Sequence, residues 1–368
     1  MNILFLTNHL NVGGITSYLL TLAPGLKARG HTVYLASGGG EDLSEFLKAG
    51  VECIPLPLRT KQEIHPKVFI SALKAEREVR KRSIDVVHSN TRTTQVAACL
   101  IKHWTKVSHV STCHGFFKPK LVRRLFPCWG EETIAISEPV KEHLVRDMGV
   151  RADAITVIHN GIDAERFSPC ISADRRAYKK KLGFADGPLV GIIARLSDVK
   201  GHRYLIEAMK KVSISFPDAR LLIVGEGKMH HDLNGWTQCL NLQEYVRFVP
   251  SVSDTRDVLS ALDVFVMPSL HEGLGLALME AMAAGCPVVG SAVGGIKSLI
   301  QHEVTGLLSK PADADSIAAA IIRFLKDPAE GALMGRQARD FIRDRFSRED
   351  MVLKTEEVYQ RCLSKRKR

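Results

Sequence analysis

Two glutamates eight residues apart, Glu272 and Glu280, bracket the stretch with the most chemistry in the chain, 270–285, Leu-His-Glu-Gly-Leu-Gly-Leu-Ala-Leu-Met-Glu-Ala-Met-Ala-Ala-Gly. Gly273 and Gly275, with Leu274 between them, let the backbone come close to a ligand, and the segment opening at Leu276 and Ala277 is rich in strong helix formers. A helix starting there presents unpartnered N–H groups and the positive end of its dipole, which suits a phosphate. A bare carboxylate facing that phosphate would be repelled, so both glutamates read as acceptors for hydroxyl groups. Sugar hydroxyls on both sides of a diphosphate, as in a nucleotide sugar, meet these demands together.

Other residues of the second half point the same way. Arg195 stands at a predicted strand end in Ala194-Arg-Leu-Ser-Asp-Val-Lys-Gly201, with Lys200 five residues on. Gly225 opens a Gly-Glu-Gly turn, the backbone around Val249 and Pro250 ends another strand, and Gly294-Gly295 follow a further one. Two cations and several glycine turns at one edge describe a diphosphate site neutralised by side chains. In the first half the same positions hold Gly13 and Gly14, Ser89 and Asn90, and His114 in Ser111-Thr-Cys-His-Gly115. The Gly13-Gly14 turn lacks the third glycine and the downstream acidic residue of a dinucleotide fingerprint.

These positions are set by alternating elements. Predicted strands at 2–7, 31–36, 51–55, 84–88, 107–112, 133–136 and 155–158 interleave with helices at 15–29, 67–82, 92–103 and 139–148. A second series runs through strands at 189–194, 220–224, 246–249, 264–267, 287–290 and 306–308, with helices at 202–214, 229–240, 255–262 and 276–285. Short apolar strands alternating with helices imply parallel doubly wound sheets, whose ligands lie beyond the carboxyl ends of the strands. The expected class is α/β, with two Rossmann-like domains facing across a cleft. The boundary is placed at 168/169, in turn-rich 159–169 followed by polar 175–187. A terminal amphipathic helix carries Met351, Val352, Thr355, Val358, Tyr359 and Cys362 on one stripe.

The bulk properties agree. At 368 residues and 45% hydrophobic content, two domains are the expectation. The longest apolar runs fall short of a membrane span, and 1–6 lacks the basic flank and length of a signal peptide, so a cytoplasmic protein is expected. Eight cysteines without a CxxC pair read as reduced thiols rather than a zinc site. No metal is expected: the Asp-x-Asp at Asp313 and Asp315 precedes a helix and reads as its cap. The formal charge of +11 includes a cluster at 118–124. There Lys118, Lys120, Arg123 and Arg124 interleave with Phe116, Phe117, Leu121, Val122, Leu125, Phe126 and Trp129. That pattern suits either a segment dipping into an anionic membrane on its inner face or a core-facing helix with a basic edge. No nucleic-acid module claims the charge.

Taken in order, Gly13-Gly14, Arg195, Lys200, Pro268-Ser269, and Glu272 with Glu280 resemble the GT-B fold retaining glycosyltransferases of family 4, also called group 1, over nearly the whole chain. The resemblance implies an N-terminal acceptor-binding domain at 1–168, onto which a C-terminal helix at 348–364 crosses back, and a donor-binding domain at 169–347. It implies a metal-independent, cofactor-free transfer of a sugar from a nucleoside diphosphate sugar to a glycan or lipid-linked acceptor of cell-surface polysaccharide or lipopolysaccharide synthesis. Arg195 and Lys200 would hold the diphosphate, Glu272 the sugar hydroxyls and Glu280 the ribose. Gly225, Val249, Pro250, Gly273, Leu274, Gly275, Leu276 and Ala277 complete the donor set. His114 would lie near the transferred sugar, with Gly13, Gly14 and Asn90 on the acceptor side. The chain departs from the commoner pattern at Ala194, Leu274, Lys228 and Lys297-Ser298. A GT-B nucleotide-sugar epimerase and a non-catalytic sugar-nucleotide or lipid-binding protein are the alternatives. Hydrolysis by the glutamate pair does not suit paired sheets with one carboxylate on a helix beneath a glycine turn.

Overall fold

The computed structural model describes residues 1–60, 62–119, 123, 126–167 and 172–366. The chain divides into two compact units, Met1–Gly161 with Arg348–Arg368, and Ile162–Ser347.

The first unit runs β1 (Asn2–Leu6), α1 (Gly14–Ala28), β2 (Thr32–Ser37), α2 (Leu43–Lys48), β3 (Glu52–Pro55), α3 (Pro66–Lys81), β4 (Val86–Ser89), α4 (Arg92–Thr105), β5 (Ser108–Cys113), β6 (Glu132–Ala135), α5 (Glu138–Arg146) and β7 (Ile155–Val157). Among the described residues its sheet has seven parallel strands in the order β3-β2-β1-β4-β5-β6-β7. Central β1 is apolar throughout because both of its faces are covered. Ile3 and Phe5 point into a core with Tyr18, Leu19, Leu22 and Leu26 of α1, whereas Leu4 and Leu6 point into a second core with Val68, Ala72 and Val79 of α3 and Ala97, Ala98 and Ile101 of α4.

The second unit runs α6 (Ser172–Lys181), β8 (Leu189–Ile193), α7 (His202–Ser215), β9 (Arg220–Val224), α8 (His230–Cys239), β10 (Val246–Val249), α9 (Arg256–Ala261), β11 (Val264–Met267), α10 (Leu276–Ala283), β12 (Val288–Ser291), α11 (Ile296–Leu299), β13 (Leu307–Ser309), α12 (Ala314–Lys326) and α13 (Pro328–Arg345). Six parallel strands among the described residues follow the order β10-β9-β8-β11-β12-β13. The last helix, α14 (Arg348–Arg366), belongs to the first unit. Its stripe of Met351, Val352, Thr355, Val358, Tyr359 and Cys362 is buried, and Met351, Val352, Val358, Tyr359 and Cys362 share the core of α1.

The division at 161/162 lies upstream of the expected 168/169. The Ile162 N–H donates to Phe346 O at 2.8 Å and Ile162 bridges to Ser347, which ties the segment before 168 to the end of α13. The polar run expected to be a boundary linker is α6 over much of its length. Three of its cations are held within the unit, Arg175 at 3.2 Å and Lys179 at 2.6 Å by Asp263, and Lys181 by Asp257. Helices α2 and α13 were not anticipated, although Asp327 caps α13 by accepting from the Glu330 N–H at 3.0 Å ahead of Pro328.

Strand order reverses direction between β1 and β4 in one sheet and between β8 and β11 in the other. Crevices open at such points beyond the carboxyl ends of the strands. Asn90 follows β4 in the first, and Arg195 and Glu272 follow β8 and β11 in the second.

Candidate active site

The chemistry-bearing side chains form two groups, one in each unit. In the second, the loop after β8 enters a short 3₁₀ turn at Asp198–Lys200, and the loop after β11 lies against it. Leu270 N–H donates to Val199 O at 2.8 Å, which locks the two loops together. Gly201 is left-handed at φ 70°, and a Cβ there would stand 1.9 Å from Pro268 O, so only glycine allows this approach. The result is an ion pair between loops 72 residues apart in sequence: Lys200 Nζ lies 2.6 Å from Glu272 Oε2. Ser269 Oγ donates to the same oxygen at 3.2 Å, and Glu272 Oε1 has no partner among the described residues. An ammonium has three N–H donors, so Lys200 keeps two for another acceptor.

Arg195 is exposed and makes no ion pair or side-chain hydrogen bond among the described residues. Its backbone is nonetheless fixed. Ala194 N–H donates to Val224 O at 3.0 Å and Leu196 N–H to Glu226 O at 2.8 Å, which sets the strand end beside the Gly225 turn. Gly225 N–H in turn takes Val249 O at 3.0 Å, so that carbonyl is committed to the fold, while Pro250 next to it is exposed.

Gly273 and Leu274 are buried in the turn, and Gly295 N–H donates to Glu272 O at 3.0 Å. Gly275 is the N-cap of α10 at φ 102°, a left-handed conformation costly for any side-chain-bearing residue. No side chain caps the helix, so the N–H groups at its start, near half-buried Leu276 and Ala277, have no side-chain partner from the cap. Glu280 faces a different neighbour from Glu272. Its Oε2 accepts from Thr255 Oγ1 at 2.8 Å. Burial pushes its carboxyl up to about 7, against the lowering effect of the Thr255 bond and Arg166, with Asp254 adding to the rise.

In the first unit, His114 follows β5. Its Nε2 lies 3.2 Å from Asn90 Oδ1, and its ring meets Tyr18 edge-on with centroids 4.7 Å apart. Buried Asn90 donates through Nδ2 to Leu6 O at 3.4 Å and His88 O at 3.3 Å, which turns Oδ1 toward His114. The His114 Nε2 therefore carries the proton, and Nδ1 is an acceptor. Burial pushes its pKa down to about 3, so the ring is neutral at pH 7. Beneath it runs a buried chain: Tyr359 OH to His88 Nδ1 at 2.6 Å, His88 Nε2 to Thr112 Oγ1 at 2.7 Å, and Thr112 Oγ1 to Tyr18 OH at 3.3 Å. Gly14 opens α1 and Gly13 is its N-cap, on the element that carries Tyr18.

Of the basic aromatic stretch, read as either lipid-facing or core-facing, the described residues include the cations Lys118 and Arg123. Arg123 bonds Glu63 at 2.7 Å and the Lys118 carbonyl at 2.7 Å, so its charge is spent inside the protein. Burial raises the Glu63 carboxyl, but the bonds from Arg123 and Arg92 outweigh it and hold the group below its ordinary value. Lys118 is exposed, Phe116 and Phe126 are 40% and 68% exposed, and Trp129 is buried. Lys120 and Arg124, with Leu121, Val122 and Leu125, lie outside the described residues. A further row of exposed apolar side chains among the described residues is on α3, where Phe69, Ile70 and Leu73 share one face with Lys67 and Lys74 beside them.

Sequence reasoning placed Ser269 in the motif without its bond to Glu272, and missed Thr255 and Tyr18. Ser269 sits just ahead of the glycine turn and Thr255 just ahead of α9, positions that show only that each could cap something. Asp313 caps α12 through the Ser316 N–H at 2.9 Å, and Asp315 pairs with Lys211 at 2.7 Å. Among the described residues no cluster of three metal-ligating side chains occurs, and no helix is long and apolar enough to cross a membrane.

Two family models match the chain, one described as Glycosyl transferases group 1 over residues 174–341 and one as Glycosyltransferase Family 4 over residues 12–166. The putative glycosyltransferase YtcC of Bacillus subtilis is 30% identical over 356 residues, covering 88% of this chain and 84% of that protein. The UDP-Gal:alpha-D-GlcNAc-diphosphoundecaprenol alpha-1,3-galactosyltransferase of Escherichia coli is 28% identical over 334 residues, 86% of each chain. Among solved structures, Anabaena HepE in complex with UDP-glucose superposes with a TM-score of 0.87 at 22% identity, over 98% of this chain and 100% of that one.

Proposed function

The chain belongs to the group 1, family 4 glycosyltransferases and has the GT-B fold, and from that premise we propose that it transfers one sugar, with retention and without a metal, from a nucleoside diphosphate sugar to a glycan or lipid-linked acceptor of cell-surface polysaccharide or lipopolysaccharide synthesis. The observation that carries this reading is the Lys200–Glu272 pair at the β8/β11 crevice, where Arg195, unpaired among the described residues, ends the neighbouring strand.

Breaking the bond between the sugar carbon and the phosphate oxygen puts negative charge on the departing diphosphate and positive character on the sugar. Arg195 offers a planar fork of N–H donors, Lys200 its two remaining donors, and α10 its N-terminal dipole, so the positive charge a metal would supply is present in the protein. Glu272 Oε1 accepts from sugar hydroxyls while Lys200 keeps its other oxygen occupied. Glu280 accepts from the ribose. His114, neutral and with Nδ1 open, accepts from a hydroxyl of the reacting sugar. The E. coli relative named for an undecaprenol-linked acceptor supports a lipid-linked acceptor here. So does the α3 face, where Phe69, Ile70 and Leu73 are 43%, 46% and 53% exposed beside exposed Lys67 and Lys74.

Thermal-shift screening against nucleoside diphosphates and their sugars identifies the donor, because a ligand bound only by the folded state raises stability with the logarithm of its concentration over Kd. Donor incubation with candidate acceptors, read by NMR of the anomeric proton, then gives the product and its configuration. Binding with free epimer as product points to an epimerase, and binding without turnover to a non-catalytic protein. Undiminished turnover in Glu272→Ala or Lys200→Ala refutes the site. Flotation equal with neutral and anionic vesicles, or absent with both, refutes the membrane part.

A further inference from the structure

Away from these groups, one face of α4 is fastened to the segment that follows residue 125. Arg92, Gln95, Cys99 and Lys102 recur at helical spacing and so share that face. At one end Arg92 donates to the Phe126 carbonyl at 2.7 Å and also to the Pro127 carbonyl. At the other, Lys102 Nζ lies 2.8 Å from Glu131 Oε1. Between these two clamps the Cys99 and Cys128 thiols are neighbours, each the largest influence on the other's acidity. Cys99 is exposed and Cys128 half-buried, so solvent reaches the pair from the helix side. Cys128 is held in the left-handed region at φ 52°, a conformation that fixes the direction of its Cβ. Among the described cysteines, Cys113, Cys286 and Cys362 are buried, and Cys53 and Cys239 have no second thiol beside them in the contacts described here.

We propose that Cys99 and Cys128 form a reversible thiol–disulfide site that exchanges with small-molecule disulfides of the glutathione type. The Cys99 thiolate attacks one sulfur of the small disulfide, forms a mixed disulfide and releases one thiolate. Cys128 then gives up its proton and attacks Cys99 Sγ, which forms the Cys99–Cys128 bond and releases the second small thiol. The two cysteines are oxidised by two electrons and the small disulfide is reduced by two; excess thiol reverses both steps. The order of attack follows from the surroundings. The neighbouring Cys128 thiol lowers the Cys99 pKa most, and Lys102 and Arg92 lower it further against burial and Glu131, bringing it to about 6. The neighbouring Cys99 and then burial push Cys128 well above the ordinary thiol range, so Cys128 is the resolving partner.

The test uses the full-length chain in glutathione buffers of rising oxidised fraction, quenched by alkylation and mapped by mass spectrometry without reduction. A cross-linked peptide pair containing Cys99 and Cys128 is expected, and it should vanish when reduced glutathione is restored. Cys128→Ser should stop at a glutathione adduct on Cys99, and Cys99→Ser should give neither species at these two positions. Alkylation of Cys99 in Cys128→Ala should show a higher pH midpoint than in the wild-type chain, because the neighbouring thiol that lowers it most is gone. Both cysteines remaining fully alkylated in oxidised glutathione, or Cys128→Ser leaving Cys99 without an adduct, overturns the proposal. None of these readouts depends on the donor site or on turnover.

Discussion

Lys200 Nζ stands 2.6 Å from Glu272 Oε2, on two loops that meet through the Leu270 N–H to Val199 O bond. Each residue therefore sets the other's position, and removing either disturbs both. Lys200→Ala should lower kcat about a hundredfold, on the order of 3 kcal/mol, the scale for one preorganised group facing developing charge. Because Glu272→Ala frees the same lysine, the double variant should lose less than the sum of the two. Steady-state kinetics of the three variants checks this, and strict additivity would mean that the two act independently.

Arg195 differs in having no protein partner among the described residues. Arg195→Ala should leave the free energy of urea unfolding within about 0.5 kcal/mol of wild type, as for surface substitutions that remove no contact. Its effect should fall on the diphosphate: a charge-assisted bond lost from the complex costs about 1.5–3 kcal/mol, or roughly ten- to a hundredfold in Kd. Calorimetry with the nucleoside diphosphate found by the thermal screen, beside urea unfolding, separates the two effects. A destabilised variant with unchanged Kd would give Arg195 a structural role instead.

Glu280 couples binding to pH. Its folded-state pKa is raised from 4.5 to about 7 by burial, so between these values the folded state holds a proton that the unfolded chain releases. Stability contributed by that proton is present below about 4.5 and is lost as pH rises toward 7. A ribose diol needs the carboxylate as acceptor, so donor affinity should move the other way and increase by about tenfold from pH 6 to pH 8. In Glu280→Gln both trends should flatten, and the affinity should be lower at pH 8. Melting and titration series across this range read both. An affinity in wild type that is flat with pH would remove Glu280 from the ribose role.

The sequence made the two sheets legible because parallel strands covered on both faces are short apolar runs, and those runs end where the glycines, cations and carboxylates stand. It located Glu272 and Lys200 separately, but their pairing depends on how two loops lie together, to which Gly201 and the Val199 carbonyl contribute as much as the charges. Helix α6 was hidden for a related reason. Its polar residues looked like linker composition, whereas Arg175 and Lys179 are committed to Asp263. Arg123 carried no local sign of its partner Glu63, sixty residues earlier. Pairings between distant side chains carry no local period, and they account for most of what the pattern could not give.

Tyr359 shows what α14 contributes beyond apolar burial. Its hydroxyl lies 2.6 Å from His88 Nδ1, and His88 Nε2 lies 2.7 Å from Thr112 Oγ1, all without access to water. Burial holds the His88 imidazole well below its ordinary pKa, so the ring is neutral and one nitrogen must donate while the other accepts. Tyr359→Phe keeps the ring and its packing but leaves Nδ1 with no partner. A buried polar atom left unpaired costs about 1–3 kcal/mol, because water cannot replace the lost bond. Urea unfolding at pH 7 should therefore show a lower midpoint with an unchanged slope, and the slope matters because an altered one would mean that α14 had detached and exposed new surface. The nucleoside diphosphate Kd should stay at the wild-type value, since this chain of bonds lies in the first unit and the Lys200–Glu272 group in the second. An unfolding free energy unchanged within about 0.5 kcal/mol would show that His88 draws its stability from Thr112 alone.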